Sequence, residues 1–411
     1  MKKTLRVVIL LSLASSASQA TNFYVATTGN DSNTGTQSQP WQTIGHAANA
    51  VSPGDTVIVE DGTYVEAIWI VASGSSGNPI TFQSANKWGA SIAPTSGLIA
   101  GQSVINISGS NVVFENFDIA GPSDGSAWNG VNCNGNINQV GFNCQVIGNR
   151  IHHISTSACN GGAGVMNNGD GSTISGNFVY DISPPASTNC SKSHGIYWTA
   201  GDPGTIQNNI VVDVHSGYCL QFWGGPGEFS NVTITNNTFS NCGGSGSGSP
   251  LVIGCGAPAG VTYVCNNLNF NNNIFAFSPS GNSSPCIQEH NSANGNSGYS
   301  QNATLGTRTY SNDLLYNCGG APFFQNTGSG GSLVNPVASN PQFVNYTGDQ
   351  TGNYHLQSTS PAIDAGTTVG APRTDFDGIA QTSPPTIGPL LVPGGNTTIP
   401  GPPTGLTASV H

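Results

Sequence analysis

In the middle of this chain apolar residues recur at every second position, in short bursts, and the bursts themselves recur. VIGNRIHHI (Val146–Ile154), TISGNFVYDI (Thr173–Ile182), TIQNNIVVDV (Thr205–Val214), TITNNTFSNC (Thr233–Cys242) and NFNNNIFAFS (Asn269–Ser278) share one layout. TYSNDLLYNC, ending at Cys318, is a weaker copy, and VVFENFDI (Val112–Ile119) an earlier one. Alternation with β-branched residues is a strand signal. Each copy carries an Asn: Asn116, Asn149, Asn177, Asn209, Asn237, Asn273 and Asn312, at steps of 33, 28, 32, 28, 36 and 39 residues. Self-similarity at this period marks a repeat architecture. The column Ile151, Val179, Val211, Phe239, Phe275 and Leu314 is apolar throughout, so it is predicted to face inward. The Asn column is predicted to stack as a hydrogen-bonded ladder, satisfying polar groups that burial would otherwise orphan.

A second phrase lies between the copies: AGVMNN from Ala163, HGIYW from His194, YCLQFW from Tyr218, PLVIG from Pro250 and PCIQE from Pro285. It predicts another strand per repeat, with Val165, Ile196, Leu220, Val252 and Ile287 inward. Gly, Ser, Asn and Pro fill the gaps as turns. Two or three short strands per coil and no helical period predict an all-β chain, a right-handed parallel β-helix. A propeller needs four strands per blade and about 40–50 residues, which the short steps do not supply. TIGHAANAV (Thr43–Val51) is the one convincing helical stretch, and it is predicted to plug the open N-terminal end of the stack.

Residues 1–20 read as a secretory signal, with Lys2, Lys3 and Arg6 before an apolar run and a small-x-small site at Ser18-Gln19-Ala20. The run is too short to span a membrane. Without Lys2, Lys3 and Arg6, five basic residues face 19 acidic ones, a net charge of −14. That balance excludes nucleic acid as a partner. Ten cysteines in an exported chain predict disulfides. Cys133 with Cys144, Cys159 with Cys190, and Cys255 with Cys265 are near in sequence. Cys219, Cys242, Cys286 and Cys318 are left without an assignment. No CxxC spacing points to a metal.

The N-terminal part contains Tyr24-Val25, Gly29-Asn30-Asp31, Gly35-Thr36, Pro40-Trp41, Ile44, Ala47-Ala48, Pro53-Gly54-Asp55-Thr56, Gly62-Thr63-Tyr64 and Pro79-Ile80-Thr81. This resembles the opening of secreted right-handed β-helix proteins of the pectate-lyase-like superfamily, and with the repeats the likeness covers roughly residues 22–320. Further on, NPQFVN from Asn340, GNYHLQSTSPAIDAG from Gly352 and RTDFDG from Arg373 resemble the closing module of bacterial choice-of-anchor β-helix proteins. The expected organisation is a signal peptide (1–20), a β-helix domain (21–390) and a mobile Pro/Gly/Thr-rich tail (391–411). Within the β-helix domain, the cap takes about 21–85 and the closing module about 335–390. The resemblance implies a secreted or cell-surface monomer acting on a polysaccharide or a cell-surface glycan, with no membrane span.

Lyases resembling this chain remove the proton beside a uronide carboxylate with Lys or Arg, often assisted by Ca²⁺ on carboxylates. Lys192 stands just before the HGIYW strand, with His194 and Tyr197 in it and His215 about a coil later. These four are the candidate catalytic residues. Their bland reading is a solvated loop Lys and a turn His. Ser193-His194-Gly195 is similar to a polygalacturonase motif, but the Asp-Asp and Arg-Ile-Lys partners of that motif are missing. In the column His153, Asp181, Asp213, Asn241, adjacent coils bring side chains about 4.8 Å apart. Asp181 and Asp213 are therefore candidate Ca²⁺ ligands, or ordinary turn residues. Tyr197, Trp223 and Trp128 are candidate sugar-stacking residues, whereas Trp198 and Phe222 share a column predicted to be core. The alternative to a Ca²⁺-assisted polysaccharide lyase is a non-catalytic glycan-binding or structural surface protein.

Overall fold

The computed structural model describes residues 20–392 except 96–97, 99–101, 136–141, 155–161, 184–192, 225–226, 245–247, 257–261, 280–283, 291–302, 320–323 and 327–330. The chain winds as a parallel β-helix with three strands per coil. One coil runs Cys144–Ile147, Arg150–Ile154 and Gly162–Asn167, then returns to Ser172–Ser175 beside its start. Stacking gives a first sheet from Asn22–Val25 to Gly331–Val334, a second from Ile68–Ile70 to Phe324–Asn326 and a third from Gly62–Tyr64 to Leu314–Tyr316. All three pair in parallel.

The inward columns fill the shaft. Ile151, Val179, Val211, Phe239 and Phe275 pair in register on the third sheet, and all are fully buried. Each buried aliphatic side chain contributes about 1.5–3 kcal/mol before chain entropy is counted. Two expected members are displaced by one residue. Leu315, not Leu314, pairs with Phe275. Leu251, not Val252, pairs with Leu220, and Val252 lies opposite Gln221. Trp198 and Phe222 are buried inside the shaft, with ring centroids 6.3 Å apart.

The Asn ladder lies at the bend between the first and third sheets. Asn177 Oδ1 accepts from the backbone N of Asn149 at 3.0 Å and its Nδ2 at 3.2 Å, while Asn177 Nδ2 donates to Val146 O at 2.8 Å. Asn209, Asn237 and Asn273 repeat this pattern. The ends differ from expectation. Phe117, not Asn116, opens the ladder by donating its N–H to Asn149 Oδ1 at 2.9 Å. Asp313, not Asn312, closes it by accepting from Asn273 N at 2.7 Å and Nδ2 at 2.9 Å.

The helix Ile44–Ala50 buries Ile44, Ala47 and Ala48 over the N-terminal coil. Thr43 caps it by accepting from His46 N, and the Glu66 carboxylate accepts from the N–H groups of Ile44 and Gly45. The disulfides Cys133–Cys144 and Cys255–Cys265 form as expected. Cys219–Cys242 and Cys286–Cys318 tie the second sheet to the third across the shaft. Cys159, Cys190, residues 1–19 of the expected signal peptide and the expected tail from residue 393 on lie outside the described residues.

The closing module folds back along the outside of the third sheet. Phe343, Tyr354, Leu356, Ala362, Phe376, Ile387 and Leu390 form a second core with Phe178, Tyr180, Ile210, Val212, Ile274 and Leu314. Asn236 Nδ2 donates to Thr386 O and Gly388 O, and Asn272 Nδ2 to Thr367 O, securing the module to the bends. No described helix is long and apolar enough to cross a membrane.

Candidate functional site

At the turn leaving the third sheet, four successive coils place a residue in the left-handed backbone region: His153 (φ 58°), Asp181 (51°), Asp213 (56°) and Asn241 (53°). Asn, Asp and His are all enriched in this conformation among non-glycine residues. The pairs Ile154↔Ile182 and Val214↔Cys242, one residue on, keep the four in register. Stacking of this column with the outward residues beside it produces a continuous chain of titratable groups over four coils.

The chain begins at Asp118, whose Oδ1 accepts from Arg150 Nε at 2.6 Å and His152 Nε2 at 3.0 Å, while Oδ2 accepts from Ser91 Oγ at 2.9 Å. Burial would raise the Asp118 pKa, but the bonds from His152 and Arg150 outweigh it and hold the carboxyl well below its usual range. His152 Nδ1 meets His153 Nδ1. The His153 Nε2 lies 3.2 Å from Asp181 Oδ2. His215 Nε2 then lies between Asp181 Oδ1 at 3.2 Å and Asp213 Oδ1 at 3.4 Å. The His153 side chain is 58% exposed, whereas His215, Asp181 and Asp213 are partly covered. Tyr180 stacks flat on His152, with centroids 5.0 Å apart, and burial pushes its hydroxyl up to about 12.

Hydrogen bonding assigns the His153 tautomer. A lone pair on His153 Nε2 would face an Asp181 oxygen at 3.2 Å, so neutral His153 carries its proton on Nε2 and donates it to Asp181, leaving Nδ1 as the acceptor toward His152. The two imidazoles flanking Asp181 are pushed in opposite directions. Loss of hydration and the neighbouring His152 lower His153, against the pull of Asp181. The hydrogen bond to Asp213 raises His215 over the opposing effect of burial, with the charges of Asp213 and Asp181 adding to the rise.

Asp181, Asp213 and His215 can each turn one ligand atom to within 4.8 Å of the others, an arrangement able to hold a cation. Ca²⁺ takes six to eight oxygens, of which these two carboxylates would supply a part and water and backbone carbonyls the rest. Here two carboxylates come with an imidazole already bonded to both.

The other expected site residues divide. Lys192 lies outside the described residues. His194 is buried on the second sheet, edge-on to Tyr197 at 4.9 Å and stacked on Tyr218 at 5.7 Å. Burial brings its pKa down to about 3, so it is uncharged at neutral pH. His215 instead joins the Asp181 cluster. Tyr197 faces outward and is half-buried. Trp223 lies across Gly254, where a Cβ would come 2.2 Å from its ring, and Trp128 is 37% exposed. His152, Asp118 and Arg150 had not been singled out. Their signals were the His-His pair in RIHHI and the Asp of VVFENFDI, which the register sets opposite Arg150.

Comparison with known proteins locates the fold. A family profile described as a protein of unknown function, DUF1565, matches residues 27–69, the cap and first coil. The uncharacterized protein YwoF of Bacillus subtilis (strain 168) is 42% identical over 60 residues, 15% of this chain and 13% of the relative. The chain thus spans well under two thirds of that relative's length. The crystal structure of pectate lyase Pel9A superposes with a TM-score of 0.58 at 18% identity, over 92% of this chain and 98% of that one. That likeness establishes the pectate-lyase-like parallel β-helix fold. An alginate lyase from Paenibacillus sp. str. FPU-7 aligns more loosely, with a TM-score of 0.45 at 15% identity, over 77% of this chain and 95% of that one.

Proposed function

We propose that this is a secreted, polysaccharide-active β-helix protein whose chemistry is proton transfer along the His153–Asp181–His215 ridge. The reaction class is β-elimination of a uronate-containing polysaccharide. The observation that carries the reading is geometric: two imidazoles share one carboxylate on an exposed ridge. Environments that push two such groups apart assign the base and the acid. Neutral His153, its Nε2–H held by Asp181, takes the proton beside the uronate carboxylate at Nδ1 in place of its contact with His152, and Asp181 stabilises the imidazolium that results. His215, kept protonated by Asp213 and Asp181, delivers a proton to the leaving glycosidic oxygen. Both proton transfers pass through these side chains alone. The disulfides and the fold shared with a pectate lyase support export and a glycan substrate.

The test is a panel of pectate, alginate and glycosaminoglycans, followed by the absorbance of unsaturated uronide products. At least one substrate should yield product. His153→Ala and His215→Ala should each lower the rate about 10²–10⁴-fold, the usual worth of a positioned acid or base. A chelator should leave the wild-type rate unchanged. Absence of product on every substrate would overturn the reading in favour of a non-catalytic glycan-binding protein.

A further inference from the structure

A cavity lies away from the ridge, on the outer face of the second sheet near its N-terminal end. It encloses about 390 Å³ and is lined by Trp69, Gln102, Ser103, Asn106, Asn132 and Asn134 with flanking backbone. This size is typical of small-molecule sites. Strand pairing builds it: Trp69 lies opposite Asn106, and Asn106 opposite Asn132, in one row across three coils. The amides are pre-oriented. Asn132 Nδ2 donates to Asn106 Oδ1 at 3.1 Å, and Asn129 Nδ2 to Ser103 Oγ at 3.0 Å.

Two features point to the ligand. Trp69 is 60% exposed on a rigid strand, with polar side chains around it. An apolar ring beside convergent polar groups is the arrangement that small-molecule sites present. None of the described residues that line the cavity is charged, and the chain as a whole is strongly acidic. A polyanion would gain no ion pair there. An amide both donates and accepts, as a sugar hydroxyl does.

We infer that this groove binds an uncharged, hydroxyl-rich saccharide unit, its pyranose face laid on Trp69 and its hydroxyls bonded by Asn106 and Asn132. The row continues through Met166, Tyr197 and Gln221, the coils that carry the imidazole ridge. From Asn106 to Tyr197 is three coil steps, roughly 14 Å at the spacing of paired strands. Binding in the groove does not rest on the proton-transfer reading.

The experiment titrates the full chain with uncharged gluco-, xylo-, manno- and galacto-oligosaccharides and with oligouronates. Tryptophan fluorescence and calorimetry provide the readouts. At least one neutral series should bind saturably. Trp69→Ala should weaken it tenfold or more, the scale of a Trp anchor, and Trp69→Phe should recover part of the loss. Trp69 is exposed, so its replacement leaves the core untouched. His215→Ala should bind the neutral series as the wild type does. Saturable neutral binding without unsaturated product sinks only the proton-transfer reading. Binding of oligouronates alone, or a Trp69→Ala variant that binds like the wild type, overturns the groove assignment.

Discussion

Asp313 occupies a position that five coils before it fill with Asn, and its chemistry adapts to the place. Its Oδ1 receives both donors of Asn273, and its Oδ2 is buried without a partner. Burial raises its pKa to about 8 against the two bonds that lower it. Near neutrality the group is therefore a protonated acid that stands in for an amide. The folded chain holds a proton that the unfolded chain releases near its ordinary value of 3.8. Stability from this site is complete below that value and declines as pH rises through the folded pKa of about 8. Asp313→Asn should flatten the decline, checked by urea midpoints measured at about pH 5 and about pH 8. Equal slopes in both proteins would refute protonation at this site. The ridge has its own pH signature. A base held below the usual imidazole value and an acid held above it give a bell-shaped rate profile. Asp213→Asn removes the main cause of the His215 rise, so the alkaline limb should move to lower pH while the acid limb stays in place.

At the scale of the element, the ladder shows what repetition encodes. The five interior Asn were legible because an interior position needs donor and acceptor together, and only an amide supplies both. The two ends were misplaced by one residue because each needs half of that function. Phe117 contributes only a backbone N–H, and Asp313 only an acceptor oxygen, so neighbouring Asn116 and Asn312 looked better in sequence. Removing an interior rung should be expensive. Asn209→Ala deletes the acceptor of Asn177 N and Nδ2 and the donor to Ile174 O, all buried. Each orphaned buried group costs about 1–3 kcal/mol, so a loss of at least about 3 kcal/mol is expected in a denaturant titration. The same reasoning explains what was legible at the site. Asp181 and Asp213 follow from strand register. The Asp118 contact with His152 runs diagonally over an outward face, which no period records, and the disulfides Cys219–Cys242 and Cys286–Cys318 cross from sheet to sheet.

For the whole molecule, the closing module determines which faces of the solenoid meet solvent. The third sheet carries Phe178, Tyr180, Ile210, Val212, Ile274 and Leu314 on its outer side, too apolar to be left in water. The module covers them but leaves the ridge at the sheet's margin open at His153. It also approaches the ridge from the other side. Tyr346 donates to or accepts from Ser240 Oγ at 3.0 Å, Asn241 Nδ2 donates to Gly348 O at 2.8 Å, and the Asp213 charge helps raise the Tyr346 hydroxyl, after burial, to about 12. Docking of the module and the shape of the ridge are therefore coupled. Gly388 lies at the contact, with φ +95° and its N–H donating to Asn272 O at 2.7 Å. A Cβ there would come 2.6 Å from Ile274 Cδ1, in a backbone conformation that side chains rarely adopt. Gly388→Val should cost roughly 1–3 kcal/mol of docking. The predicted consequence is faster proteolysis between about residues 335 and 390 and increased binding of a hydrophobic dye. The solenoid's main unfolding transition should shift little, because its shaft core and ladder do not include the module. If the main transition fell in step with the protease sensitivity, the module and shaft would be one cooperative unit, and the third sheet would depend on its cover to fold.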